Sequence, residues 1–200
     1  MVDVVIRDLR KEDFPFLSKI IDDEWRFHMY SSKYGLDLAT YYLLINAHGS
    51  SVARTLLVDG VPAGAMILKD KDRKVLDFSS ELAEISEELK GTENFDLCMK
   101  DLRTMEDIYR DFSKKHMKDE WTELALLILS DGYKGLGLGR RLIEEATNCA
   151  KQMGKTALFF YTDTECNVGF YEHMGAVRLG SEDTMCLGER LTVFSYYLEF

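Results

Sequence analysis

Four of the fourteen glycines fall within eight residues, at Gly132, Gly135, Gly137 and Gly139. They separate an apolar run at 121–129 from a segment at 139–153 whose apolar residues recur at helical spacing, with Gly154 where a C-cap glycine belongs. Glycines between a strand and a helix let the backbone turn sharply and let an anion approach its amides. The free N–H groups at the helix start, with the helix dipole, then form an anion site. Lys134 precedes and Arg140 and Arg141 follow; residues 132–155 hold five bases and two acids, a local +3. The segment predicts a phosphate or pyrophosphate site. Two common motifs are excluded by spacing. A dinucleotide G-x-G-x-x-G from Gly135 needs glycine at 140, where Arg140 stands, and a P-loop from Gly132 finds Leu138 in place of its lysine.

The whole chain has the opposite charge: 25 basic against 35 acidic residues, a net −10. Half of that excess sits at 81–96, with six acids and one lysine. Such a balance argues against nucleic acid, whose binding needs a basic face. With 200 residues, 46% of them hydrophobic, one domain over 1–200 can bury about 70% of its surface. No apolar stretch approaches the roughly 18 residues of a membrane span, so no membrane is expected. Cys98, Cys149, Cys166 and Cys186 form no C-x-x-C pair and the first residues lack a signal-peptide pattern. Together these predict reduced thiols and a cytoplasmic location. His28, His48, His116 and His173 lack ligand spacing, and no metal is expected.

Hydrophobic period predicts a strand from Val2 to Ile6, a helix over 11–30 and another over 36–48. A hairpin of 51–58 and 61–68 turns at Asp59-Gly60. A solvated helix and loop follow at 81–96. A helix at 97–118 has Leu102, Met105, Ile108, Tyr109 and Phe112 on one face. Later come a strand at 156–161, a helix at 165–174, and strands at 176–180 and 190–199. Antiparallel pairs early and a β-helix-β unit late predict an α+β or mixed α/β sheet.

The run Tyr133-Lys134-Gly135-Leu136-Gly137-Leu138-Gly139-Arg140-Arg141-Leu142 resembles the acyl-CoA loop of the GNAT N-acetyltransferases, [Q/R]-x-x-G-x-[G/A], with Lys134 at the first position. Asn167-Val168-Gly169-Phe170-Tyr171-Glu172-His173-Met174-Gly175-Ala176 is similar to a shortened form of a second family segment, with Ala176 in place of phenylalanine. The likeness covers 121–200 by motif and 1–69 by element order, and does not reach 70–119. It implies a GNAT-like, mostly antiparallel twisted sheet of about seven strands flanked by helices. A helical insertion at 70–119 would separate the third and fourth strands.

The resemblance implies direct transfer of an acetyl group from acetyl-CoA to a primary amine of a small cationic molecule, and a homodimer as the family-level expectation. Residues 134–140 (Lys134, Gly135, Leu136, Gly137, Leu138, Gly139 and Arg140) would hold the phosphates. Backbone groups of Leu127, Ile128 and Leu129 would hold the pantetheine arm, with Asn167 a further contact. Tyr171 would both contact the cosubstrate and give a proton to the departing thiolate. For the base, period-2 alternation puts Glu123 on one face with Ala125, Leu127 and Leu129. Glu24, in the Asp22-Asp23-Glu24 cluster, is the rival. Trp25, Phe27, Tyr30, Tyr34, Tyr41 and Tyr42 either line an acceptor pocket or pack the core. Other readings stay open: an acyl-CoA-binding module without catalysis, an enzyme acting on a protein lysine or N-terminus, and a nucleotide-binding fold with a degenerate fingerprint.

Overall fold

Asp59 and Gly60 both take positive φ, 50° and 81°, the turn whose twist matches that of paired strands. They join β2 (Val52–Val58) to β3 (Val61–Lys69) as the Asp-Gly pair predicts. The computed structural model describes residues 3–200. In it β1 (Val4–Asp8) pairs antiparallel with β2. Val2, expected to open that strand, lies outside the described residues.

The helix expected over 11–30 is shorter. α1 spans Phe14–Trp25, with Pro15 in its first turn, and ends where Arg26 adopts the left-handed conformation at φ 54°. Apolar spacing continues beyond Trp25, but the backbone tightens into a 3-10 turn at Phe27–Met29. α2 (Gly35–Ala47) precedes the hairpin. α3 (Ser79–Leu89) and α4 (Phe95–His116) fill the long connection from β3 to β4 (Trp121–Leu129). Then come α5 (Leu138–Gln152), β5 (Ala157–Asp163) and α6 (Val168–His173). β6 (Val177–Cys186) runs well beyond the expected end at 180 and pairs along its length with β7 (Glu189–Glu199). It is an edge strand, mostly solvent-facing and polar, so the apolar pattern that marks inner strands is missing.

The seven strands form one sheet in the order β1-β2-β3-β4-β5-β7-β6, antiparallel at every junction except β4 with β5. This is the mixed α/β, mostly antiparallel architecture expected. One face carries α1 to α4, packed on Ala65, Ile67, Leu126 and Ile128 and, further along, on Trp121 and Phe159. The other carries α5 and α6, packed on Met66, Leu124, Leu158 and Phe160.

A buried carboxylate fixes α1 to the sheet. Asp13 takes hydrogen bonds from both Arg7 guanidinium nitrogens and from Thr55, each at 2.7 Å, and from the Arg10 amide at 3.0 Å. These donors outweigh desolvation and hold its carboxyl below the usual range. Asp13→Ala is expected to cost about 3 kcal/mol, since Arg7 is left without its partner, as read by urea denaturation at pH 7. A carboxyl lowered by folding stabilises above its unfolded pKa and loses that contribution as pH falls through the folded value. The gap between wild type and variant should therefore close in acid.

Candidate active site

β4 and β5 run parallel, yet their register holds only from Trp121↔Ala157 to Glu123↔Phe159. Beyond it the two strands part, and among the described residues the backbone groups of 124–129 on the β5 side have no partner strand. A cavity of about 800 Å³ opens in the gap. It reaches both faces of the sheet, touching Leu142 and Tyr171 on one side and Tyr42 and Tyr109 on the other.

On the α5 face the cavity ends at the glycine loop. Gly135 and Gly137 hold φ of 79° and 77°, conformations that side chains rarely adopt, and Gly137 is the N-cap of α5. Among the described residues, the amides of 135–140 donate to no protein acceptor. They lie at the positive end of the α5 dipole. Gly139 has a different reason: a Cβ there would meet the Phe170 ring at 3.2 Å. Of the residues assigned to the cosubstrate, Leu127, Ile128, Leu129, Lys134, Gly135, Gly137, Gly139, Arg140, Asn167 and Tyr171 line the cavity. Leu136 and Leu138 do not: the first is exposed and the second, at the start of α5, is buried in the core against the sheet. Asn167 also caps α6, its side-chain oxygen accepting from the Phe170 amide at 3.2 Å.

The two candidate bases stand apart. Glu24 lies on the rim, where it accepts a hydrogen bond from Lys134 Nζ at 2.8 Å and joins α1 to the loop. Lys134 also pairs with Asp131 at 2.7 Å. Glu123 lies deeper, and among the described residues its carboxylate has no hydrogen-bond or ion-pair partner. Burial raises its pKa, opposed by the charge of Lys69.

Its placement corrects the expected alternation. The pairing of β3 with β4 shifts register between Ile67↔Leu126 and Leu68↔Leu124, leaving Ala125 as the extra residue of a bulge. Directly paired residues share a face. Lys69↔Glu123, Ile67↔Leu126 and Ala65↔Ile128 therefore face α1 and α2, whereas Leu124, Leu127 and Leu129 face α5. Glu123 does not share a face with Leu127 and Leu129. Strict period-2 counting fails because one residue is inserted.

On the α1–α4 face the walls are aromatic. Trp25, Phe27, Tyr30 and Tyr42 line the cavity, while Tyr41 packs against Phe95, and Tyr34 lies outside the lining with Lys33 over its ring. α4 adds Tyr109, stacked on Tyr161 with centroids 4.3 Å apart. The Asp101 carboxylate accepts from Tyr30 OH at 2.8 Å and from the Leu187 amide at 3.1 Å. That tie draws the α1–α2 connection, α4 and the β6–β7 turn together over this end. Tyr171 packs on Phe160 and Phe170, and burial raises its phenol pKa, so it holds its proton. The Cys166 thiol is pushed up to about 12 by burial, which keeps it from acting as a thiolate at neutral pH.

Three lining residues were missed by sequence reading. Lys69 donates to the Ile45 carbonyl at 3.1 Å near the end of α2, and burial lowers its pKa. Its signal was a lysine in register with Ala65 and Ile67 in an otherwise apolar strand. Asp163 closes β5 with a carboxyl raised by burial; it alternates in phase with Phe159 and Tyr161. Tyr109 was placed on the apolar face of its helix, but nothing in the pattern told core from pocket. Among the described residues no cluster of His, Cys, Asp and Glu could hold a metal ion, and no helix is long and apolar enough to cross a membrane.

A family model described as "Acetyltransferase (GNAT) family" matches residues 6–176. Solved structures share the fold at low identity. The ribosomal-protein-S18-alanine N-acetyltransferase from Escherichia coli superimposes with a TM-score of 0.57 at 14% identity, covering 98% of this chain and 94% of that one. An acetyltransferase of the GNAT family from Streptococcus pneumoniae gives 0.57 at 14% identity over 98% and 99%. The IAA acetyltransferase from Bacillus cereus ATCC 14579 gives 0.54 at 15% over 99% and 100%. No curated protein sequence matches the chain.

Proposed function

Because the chain belongs to the GNAT acetyltransferase family, we propose that it moves an acetyl group from acetyl-CoA directly to a primary amine of a small cationic molecule. One observation carries this reading. The gap between β4 and β5 joins an amide-lined anion cradle on one face to a half-buried carboxylate, Glu123, on the other. The residues fit acetyl-CoA. The amides of 135–140 with Lys134 and Arg140 suit its pyrophosphate, and the free edge of β4 around Leu127, Ile128 and Leu129 suits an amide-bearing pantetheine arm.

Chemistry then follows from the groups at hand. The acceptor ammonium gives a proton to Glu123, through water where the carboxylate is not in direct reach. Its nitrogen attacks the thioester carbon, and the developing oxyanion meets a free β4 amide. As the C–N bond forms the C–S bond breaks, and Tyr171 passes its proton to the sulfur. The second proton leaves the new amide nitrogen and restores the phenol, so each turnover releases one proton. Glu24 is less suited to the base role because Lys134 already occupies it.

The tie at Asp101 over the acceptor end favours a small molecule over a protein lysine or N-terminus. The free cysteines suit a cytoplasmic location. Thiol release from acetyl-CoA, measured across a panel of small primary amines and peptides, tests the reading. Turnover on peptides alone, or on no amine at all, would reject it, the latter in favour of a binding module. Tyr171→Phe should lower kcat by about tenfold to a hundredfold with little change in either KM. This is below the usual ceiling for a general acid because a thiolate is already a good leaving group.

A further inference from the structure

Asp163 is a carboxylate built into the cavity that the mechanism above leaves unused. It is 6% exposed and ends β5 on the same face as Phe159 and Tyr161. Its Oδ1 accepts from the amides of Glu165 at 2.9 Å and Cys166 at 3.2 Å, a tight turn that fixes the group. Among the described residues no Lys, Arg or His pairs with it. Burial raises its pKa, only partly offset by those two amides and the Cys166 thiol. A preorganised, enclosed carboxylate that lacks a counter-charge is a site waiting for a cation.

Its height along the sheet gives that cation a place. Phe159 is in register with Glu123, and Asp163 lies four residues further along β5, roughly 13 Å at about 3.3 Å per residue, where the two strands have parted. Tyr171, Cys166, Tyr42 and Tyr109 are the groups around it, each feeling its charge. Tyr42 and Tyr109 are aromatic walls of the same cavity, and an aromatic ring can take a cation on its face. Glu123, by contrast, sits deeper, opposite Lys69.

Resting on the acetyltransferase reading above, we propose that Asp163 holds the acceptor's ammonium group beside the thioester, so that the acceptor is an alkylamine, charged in solution, and not an arylamine. Glu123 then serves as the more distant proton sink, and Asp163 is the residue that selects for charge. The step it assists is unchanged: it binds the protonated amine and takes no part in bond making.

Asp163→Asn is the test, since asparagine keeps the oxygen that accepts from the Glu165 and Cys166 amides and removes only the charge. KM for a primary alkylamine should rise at least about tenfold, the usual effect of losing a charged hydrogen-bond partner. KM for acetyl-CoA should stay within about twofold, and the residual turnover of an arylamine that is neutral at pH 7 should fall no further in the variant. Equal losses on both amines, or none on the alkylamine, overturn the proposal. Calorimetric titration of the alkylamine into CoA-bound protein gives a second readout that needs no turnover: weaker binding in the variant supports the assignment, and equal binding rejects it. A wild type that binds the alkylamine through Asp163 but acetylates nothing would leave this site standing and sink the transferase reading instead.

Discussion

Glu123→Gln should lower kcat for amine acetylation by roughly a hundredfold to a thousandfold, the usual worth of a positioned general base. The carboxylate is enclosed, has no hydrogen-bond partner among the described residues, and is raised above its ordinary pKa by desolvation. A raised value brings it nearer to the working pH, where a base is both available and strong enough. Wild-type activity should fall as pH drops through that raised value, and this acid limb should vanish from the residual activity of the variant. Stability should move the other way. A carboxyl whose folded pKa lies above the unfolded one destabilises the fold once pH exceeds the unfolded value. Removing the charge should therefore raise Tm at pH 7 and leave it unchanged only below the unfolded pKa, where both states are protonated. A variant that loses activity and Tm together would mean that Glu123 serves the fold and not the reaction.

Gly137→Val should raise KM for acetyl-CoA by about tenfold or more while leaving kcat at saturation within a few-fold. At φ 77° a β-branched side chain costs about 1–2 kcal/mol of backbone strain. The loop can relieve that strain only by rotating the N-cap, and the rotation turns the amides of 135–140 away from a common point. Because those amides donate to no acceptor among the described residues, the fold has little to hold them in place. Affinity suffers more than stability. Initial-rate measurements at varied acetyl-CoA, with urea denaturation alongside, separate the two. An unchanged KM would show that the cradle binds nothing the reaction needs.

Local chemistry was legible where one residue type meets one backbone demand. Asp59-Gly60 foretold its hairpin, the glycine cluster placed the start of α5 at 139, one residue from where it falls, and Phe14, Leu17, Ile20 and Ile21 marked the buried face of α1. Legibility failed where the deciding partner lies far away in sequence. β6 extends to Cys186 because β7 pairs with it, although its own residues carry no apolar alternation. Asp163 and Lys69 were passed over because each stands alone in an apolar strand, and only the packing of α2 and α4 encloses them in the cavity. The motif likeness found the half of the site that is written in consecutive residues, the glycine loop. The acceptor half is assembled from α1, α2, β3, α4, β4 and β5, and no single segment announces it.

The extra residue at Ala125 bears on how this site withstands mutation. Exchanging one side chain for another along β4 leaves the count of residues between Glu123 and Leu127 intact, and so leaves the carboxylate on the face toward α1 and α2. Gaining or losing a residue would carry it to the other side. The positioning of the group thus rests on the number of residues between Glu123 and Leu127 as well as on which side chains they carry.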